Sequence, residues 1–450
     1  MNKFDFLVIG GGSGGVRAAR RAAGLGVKTA LFEKGDMGGT CVLKGCIPKK
    51  LMWYGARLLE DIALAEEYGW SVGNPQLNWI LQKDRRNKEV QRLSAIYQKL
   101  LDDSGVHTVH AEAVFEKENV IQAGGQLYTA PHILIAVGGS PHKPSLSGIE
   151  HVLISDDIFQ LEKQPSSLLV VGAGYIALEF AGIFQSMGTS TTLLCRKDKV
   201  LTHFDEDVRS FFQEQAQVKG LNIINNFEPV SIVKNKNVLV VSNKEKKTFS
   251  AEKVLFATGR KALTKSLNLE KAGIQTDSSG SIEVSDEFET SCSGVYAVGD
   301  CSNTPFQLTP VALAESEILV QNLFGRQKSK MDYQYVPSAV FSNPNIAQVG
   351  WTEKQALEKG FSIQVFESSF RPLKYTISPS KKSEKMYMKM IVDQKTDQIL
   401  GCHIVGDDSP EMIQAVAIAM VAKATKSDFD RTIGLHPSSA EELCTLRAPR

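Results

Sequence analysis

The feature that most constrains this chain is a short apolar run ending in a glycine cluster, and it occurs twice. Phe4-Asp5-Phe6-Leu7-Val8-Ile9 leads into Gly10-Gly11-Gly12-Ser13-Gly14-Gly15, and the Ala- and Arg-rich stretch Val16 to Ala23 follows. That order predicts a buried strand, a tight turn and a helix. Gly10, Gly12 and Gly15 fit a G-x-G-x-x-G spacing. In that setting the glycines serve the turn, the approach of backbone to a pyrophosphate, and close helix–strand packing. Free N–H groups and the dipole at the helix start favour the phosphates. The next strand, Thr29-Ala30-Leu31-Phe32, ends in Glu33, at the distance where an acid accepts hydrogen bonds from ribose hydroxyls. A lone glycine turn is weak evidence, whereas strand, glycines, helix, strand and acid in order point to a bound dinucleotide.

The second copy begins 162 residues later, where Leu168-Leu169-Val170-Val171 runs into Gly172-Ala173-Gly174-Tyr175-Ile176-Ala177. Its second strand is Thr191-Thr192-Leu193-Leu194, and Cys195 takes the place of Glu33, since both lie 23 residues past the first glycine. Arg196-Lys197-Asp198-Lys199 then sets three cations against one anion. An acid at this point suits the free 2′-hydroxyl of NAD and a cation the 2′-phosphate of NADP, so NADPH is expected. A solvated basic turn is the plainer alternative. Two dinucleotide folds in one chain suggest one cofactor held permanently and one visiting, the arrangement of a flavin–nicotinamide oxidoreductase.

A length of 450 residues sets a prior of about three domains. Lys plus Arg number 51 and Asp plus Glu 50, and this balance argues against a dedicated nucleic-acid binder. Seven cysteines in so long a chain are too few for a disulfide-built secreted scaffold. Met1 to Ile9 lacks the form of a signal peptide, and no apolar run reaches about 18 residues. A soluble, cytoplasmic protein without membrane or nucleic-acid partners is expected. Ile133 to Gly139 and Val254 to Arg260 read as strands ending at glycines, and Gly294 to Asp300 as a strand ending in an acid that can reach a cofactor. The last hundred or so residues lack a glycine fingerprint and combine a strand over 386–392 with an apolar helix over 412–424, a separate domain.

Only Cys41 and Cys46 lie close together, in Cys41-Val42-Leu43-Lys44-Gly45-Cys46, just after the first fold's second strand. A helical turn across the four intervening residues can bring the sulfurs together. Such a pair accepts two electrons from a reduced flavin and passes them on by thiol–disulfide exchange. Lys44 and a helix start at Pro48-Lys49-Lys50 favour thiolate. A metal site lacks a second pair of Cys or His at ligand spacing, and two passive thiols are the other alternative. Exchange also needs an acid for the departing thiolate. His436, with Glu441 or Glu442 to orient its ring, is a candidate.

Gly38-Gly39-Thr40-Cys41-Val42-Leu43-Lys44-Gly45-Cys46-Ile47-Pro48-Lys49-Lys50 resembles the redox-active stretch of the class I flavoprotein disulfide reductases. The likeness runs from Gly10 to Arg447 and is greatest to the glutathione reductases of the plant-type branch. Segments 172–182, 308–313, 370–374 and 424–430 support it. The resemblance implies an α/β fold with two Rossmann-like domains, for FAD and NADPH, and a C-terminal α+β interface domain. The expected boundaries are 1–140 for the FAD domain, 141–262 for the NAD(P)H domain, 263–332 for a central segment completing the FAD domain, and 333–450 for the dimerisation domain. It further implies that Cys46 faces the flavin and Cys41 attacks the substrate disulfide. Lys49, paired with Glu179, would sit by the flavin N5. Gly10, Gly12, Ser13, Gly14, Gly15, Glu33, Gly39, Thr40, Ala113, Gly138, Asp300 and Thr309 would bind FAD. Gly172, Gly174, Tyr175, Ile176, Arg196, Gly259 and Arg260 would bind NADPH, with Tyr175 gating the nicotinamide pocket. His436 and Glu441 would act as the acid–base pair, supplied by the other subunit of a homodimer, and the reaction would need no metal. Arg20 and Tyr97 match positions that contact glutathione, and Lys44 adds a cation.

The chain departs from the family pattern in three places. Thr202 stands where a second arginine usually follows Arg196, so NADPH preference is expected to be weaker or differently built. Lys261-Ala262-Leu263-Thr264 replaces a Pro-Asn pair. Glu317 stands where many glutathione reductases carry an arginine for a substrate carboxylate. That change leaves Arg17, Arg20 and Lys44 to attract an anionic disulfide. It also keeps open a trypanothione- or mycothiol-like substrate. A dihydrolipoamide dehydrogenase-like enzyme and an inactive flavin-binding module are further alternatives; Lys49 speaks against the first, and Cys41, Cys46 and His436 against the second.

Overall fold

The computed structural model describes residues 1–378 and 385–450. The chain forms two compact units, one of segments 1–49, 81–142 and 259–333, the other of segments 50–80, 143–258 and 334–450. In the first, a five-stranded parallel sheet has the order Val295–Ala297, His132–Ile135, Phe6–Ile9, Thr29–Phe32, His107–Val109. Phe6–Ile9 is central and wholly buried, which is why its sequence is a continuous apolar run rather than an alternating one. The helix Ser13–Gly24 buries Val16, Ala18, Ala19 and Ala22 and leaves Arg17 and Arg21 exposed. It packs against the helix Thr309–Phe324 so closely that a Cβ on Gly14 would lie 3.2 Å from Ser316 Oγ. A ribbon of Gly139–Pro141 with Arg260–Ala262 joins distant stretches of chain at the edge of this unit.

The second unit repeats the parallel architecture in the order Asn222–Ile224, Ser190–Leu194, Ser167–Val171, Lys253–Phe256. The helix Tyr175–Ser186 follows the central strand and is buried along most of its length. Its C-terminal part is a five-stranded antiparallel sheet, ordered Ser338–Val340, Ile346–Gly350, Ile399–Val405, Met386–Asp393, Ile363–Phe370. The apolar helix expected over 412–424 runs from Ser409 to Val421. Pro410 in its first turn has the fixed φ a helix start needs, and Lys423, at φ +61°, ends the possibility of continuation. The expected α/β class with an α+β C-terminal part is the architecture observed.

A buried ionic knot ties segment 205–207 to the C-terminal sheet. Lys389, on Met386–Asp393, is 1% exposed, and its Nζ lies 2.7 Å from Asp205, 2.6 Å from Asp207 and 2.7 Å from Glu353. The Arg450 guanidinium adds bonds to Asp207 at 2.8 Å and Glu367 at 3.0 Å. Burial alone would raise the Asp207 carboxyl, but the hydrogen bonds from Lys389 and Arg450 outweigh it and hold the group below the usual carboxylate range. A depressed folded-state value stabilises the fold above the ordinary Asp value of about 3.9, and that contribution is lost as pH falls through the folded one. Lys389→Met, which leaves the carboxylates without their shared cation, is expected to destabilise this unit by about 3–5 kcal/mol. Denaturant unfolding at pH 7 measures the loss. Lowering the pH below about 4 should narrow the gap between variant and parent as the carboxylates become neutral.

Candidate active site

A cavity of about 360 Å³ opens in the first unit. One wall is the glycine turn, with Gly10, Gly12, Ser13 and Gly14 facing it. Gly15 lies behind, where any Cβ would overlap the Gly10 carbonyl. The helix that begins at Ser13 has no side-chain cap, so its first N–H groups are left for an anion. The Ser13 hydroxyl is buried without a hydrogen-bond partner. Glu33 lines the cavity at the end of its strand and accepts from the amides of Gly11 (2.7 Å) and Gly35 (2.8 Å). An uncapped helix start, an orphaned hydroxyl and an acid at the adjoining strand end suit a phosphate and a ribose in that order, so these residues fit a dinucleotide.

The remaining wall gathers Gly39, Thr40, Ala113, Gly138, Asp300 and Thr309. Gly39, at φ +57°, comes so near the glycine turn that a Cβ on it would lie 2.7 Å from Gly12 Cα. Burial pushes the Asp300 carboxyl up, and Arg260, 3.7 Å away, opposes that shift. Arg260, expected at the second dinucleotide, is placed in the first unit, where it also bonds Thr40 Oγ1 at 3.3 Å and the Gly139 carbonyl. Beneath the Gly299–Asp300 turn, the fully buried Glu315 accepts from the Gly299 amide and the Tyr333 hydroxyl, each at 2.7 Å. Sequence reasoning missed this support, because a single acid inside an apolar helix carries no spacing signal. It also missed Leu263 and Ser266 on the cavity wall, which follow the ribbon that carries Arg260.

The two thiols meet at this cavity. Cys41 sits in the short helix Gly39–Lys44 and lines the wall; Cys46 is the first residue of the helix Cys46–Glu67. This helix begins two residues before the expected start at Pro48, which puts the sulfur itself at a helix N-terminus, where the dipole favours thiolate. Gly45 separates the helices, and a Cβ there would lie 2.7 Å from the Thr40 carbonyl. Contact with Cys46 and then burial push the Cys41 thiol up, while the Thr309 hydroxyl works the other way. Cys46 Sγ lies 3.7 Å from Thr309 Oγ1. The two thiols thus differ in setting: Cys41 is partly buried on the cavity wall and Cys46 is exposed at a helix start.

Lys49, 8% exposed, occupies the first turn of the Cys46 helix. Glu179 belongs to the other unit, where it is buried and accepts from the Phe341 amide at 3.0 Å. In that unit, the second glycine turn repeats the first: Gly172 has φ +144°, and the helix that starts at Tyr175 and Ile176 has Gly174 before it and no side-chain cap. Gly259, at φ +125°, belongs to the first unit. Cys195 is buried and Arg196 exposed. His436 Nδ1 lies 3.2 Å from both carboxylate oxygens of Glu441, with its ring largely in solvent. Ile433 and Leu435, in the same segment, are 94% and 77% exposed. Lys44 lines the thiol cavity, Arg20 reaches Ser104 Oγ at 3.5 Å, and Tyr97 packs half-buried against the core cluster that includes Val16 and Leu101. Glu317 forms an ion pair with Arg21 at 2.7 Å.

Two dinucleotide folds and a vicinal dithiol define a pyridine nucleotide-linked dithiol–disulfide oxidoreductase. The chain belongs to the pyridine nucleotide-disulphide oxidoreductase family, which residues 4–316 match, while residues 336–447 match that family's dimerisation domain. It is 40% identical to the glutathione reductase of Nostoc sp. (strain PCC 7120 / SAG 25.82 / UTEX 2576), over 99% of both chains. It is 39% identical to the chloroplastic/mitochondrial glutathione reductase of Pisum sativum, over 99% of this chain and 82% of that one. It is 37% identical to the glutathione reductase of Burkholderia cepacia over the full length of both. Among the described residues no group of three or more His, Cys, Asp or Glu is placed to hold a metal ion, and no helix is long and apolar enough to cross a membrane.

The approach of Gly39 to Gly12 generates a test. In Gly39→Ala the new methyl meets the Gly12 backbone, 2.7 Å from its Cα, and the turn must move. Dinucleotide affinity should fall by an amount corresponding to about 1–3 kcal/mol of strain. The ratio of visible to ultraviolet absorbance of the purified protein reports the retained cofactor.

Proposed function

We propose that this chain is an NADPH-dependent flavoprotein that reduces glutathione disulfide to two glutathiones. The observation that carries the reading is the Cys41–Cys46 contact at the wall of a cavity built for a dinucleotide. Full-length likeness to three glutathione reductases supports the choice of substrate. The residues around the first glycine turn hold FAD, and those around the second, with Arg196, hold NADPH. Bound FAD supplies two-electron transfer from NADPH to the Cys41–Cys46 disulfide.

The protein's own groups then carry the exchange. Cys41, as thiolate, attacks one sulfur of the substrate, a mixed disulfide forms, and the first glutathione leaves. His436, oriented by Glu441, removes the Cys41 proton for the attack and gives a proton to the departing thiolate. Cys46 thiolate attacks Cys41 Sγ, which closes the internal disulfide and releases the second glutathione. Lys49 and Glu179 hold each other beside the flavin. Lys44 and Arg20 attract the substrate carboxylates, and Tyr97 borders them.

The enzyme works as a homodimer in which His436 serves Cys41 of the partner subunit. The exposed Ile433 and Leu435 beside His436, and the match to a dimerisation domain, support this. The division into a FAD domain over 1–140, an NAD(P)H domain over 141–262, a central segment over 263–332 and an interface domain over 333–450 forms part of the same reading, as does a cytoplasmic location. Glu317 favours one second reading, a trypanothione- or mycothiol-like disulfide, because it sets a carboxylate on the helix Thr309–Phe324.

Turnover with NADPH against a panel of disulfides separates the two substrates. Glutathione disulfide should be the best, and activity confined to another disulfide would reassign the substrate. Cys41→Ser should still bleach on NADPH addition yet lose disulfide turnover; full-rate turnover by that variant would refute the mechanism. His436→Gln should lower disulfide turnover by about 10²–10⁴-fold while stopped-flow reduction by NADPH stays at the parent rate.

A further inference from the structure

The basic turn of the second dinucleotide fold has part of its charge paired once folded. Lys199 Nζ bonds Glu206 and, at 2.8 Å, Ser210 Oγ. Arg196 Nη1 lies 3.4 Å from Glu228 Oε1. Arg196 and Lys199 thus each face a carboxylate: Glu206 is shared with Arg209 at 2.6 Å, and Glu228 arrives from 32 residues away. Its place is fixed by backbone. The Cys195 amide donates to the Ile224 carbonyl at 2.8 Å, the Phe227 amide to the Cys195 carbonyl at 2.9 Å, and the Asn226 amide to the Lys197 carbonyl at 3.0 Å. Phe227 is 1% exposed and packs edge-on against Phe249. The segment that carries Glu228 thus runs pinned along the turn that carries Arg196.

We propose that Glu228 is a specificity-determining residue of the coenzyme site, one that shares Arg196 with the coenzyme and so narrows the preference for a 2′-phosphorylated ribose. The inference rests on the NADPH reading given above. A 2′-phosphate engages a guanidinium through charge-assisted, often bidentate hydrogen bonds. To receive it Arg196 must release Glu228, whose carboxylate then stays nearby and repels the dianion. The pair is solvent-exposed and long, so it is weak enough to be exchanged. A free ribose makes the opposite demand. Its 2′-hydroxyl needs an acceptor, and buried Cys195, whose thiol points to the Lys199 carbonyl, does not offer the carboxylate that Glu33 offers in the first fold. Glu228 supplies a carboxylate beside that strand end. Thr202, where the family places a second arginine, adds no compensating cation.

The test is Glu228→Gln, which keeps the shape of the side chain and removes its charge. The probes are 2′,5′-ADP and 5′-AMP, titrated by calorimetry, with kcat/KM for NADPH and NADH measured alongside. Removing one like charge several ångströms from the phosphate in water should tighten 2′,5′-ADP about three- to tenfold, and the gain should shrink as salt is raised. The kcat/KM ratio of NADPH to NADH should rise by at least that factor, while 5′-AMP, which loses the carboxylate beside its 2′-hydroxyl, does not tighten. An unchanged ratio and unchanged 2′,5′-ADP affinity would overturn the role of Glu228. Arg196→Met separates this from failure of the underlying reading. If the parent prefers 2′,5′-ADP to 5′-AMP and Arg196→Met abolishes that preference, the NADPH reading stands whatever Glu228→Gln does. If the parent shows no preference, the NADPH reading itself is overturned, and the inference with it.

Discussion

The close approach of backbone to backbone at the first glycine turn is the constraint on which the active site depends. Gly15 allows the helix to start against the Gly10 carbonyl, and Gly39 brings the redox segment to within contact of Gly12. Cys41 lies two residues beyond Gly39, so its position is set by the same contact that shapes the cofactor cavity. A reductase of this kind needs its dithiol at the face of the electron donor. Here one steric condition, the absence of side chains at a few positions, meets both needs. Hydrogen bonds then refine the placement: the Thr309 hydroxyl beside both sulfurs, and Glu315 fastening the turn that carries Asp300.

Local order made much of this legible in the sequence. The inner strands of both parallel sheets were readable because a buried parallel strand is a continuous apolar run, often with a glycine exit, whereas the edge strands His107–Val109 and Asn222–Ile224 were not. The thiol pair was readable from spacing alone, although the helix start at Cys46 was not, since Pro48 is the stronger punctuation mark and masks it. His436 could be joined by inspection only to Glu441 or Glu442, and the family resemblance singled out Glu441. What escaped was whatever long-range folding brings together. Glu315 and Tyr333 converge on Gly299, Arg260 reaches Thr40 from 220 residues away, and Glu228 reaches Arg196 across a strand pair. Charge in particular is a property of the folded neighbourhood, and a run of cations along the chain says little about the field where a ligand binds.

Chain-wide neutrality therefore conceals a definite arrangement. Opposite charges are paired locally at Arg196 with Glu228, at Arg21 with Glu317, and in the knot around Lys389. The first two are solvent-exposed and so cheap to rearrange. The last is buried, and its partners hold position because each loses much if left alone. The same chemistry is used as an adjustable contact in one place and as a fixed joint in another, with burial deciding which.

That fixed joint has a bearing on how such chains diversify. Lys389 and Glu353 come from the C-terminal sheet region, whereas Asp205 and Asp207 come from the parallel-sheet segment far upstream. A recombination event that imported one region without the other would leave the buried Lys389 ammonium with Glu353 alone, or the buried Asp205 carboxylate without its cation. The seam between these regions is thus a poor place to cut and splice, despite looking modular in sequence. Segments 143–258 and 334–450 are better treated as a single heritable block, and a designer of chimeric reductases would do well to exchange them together.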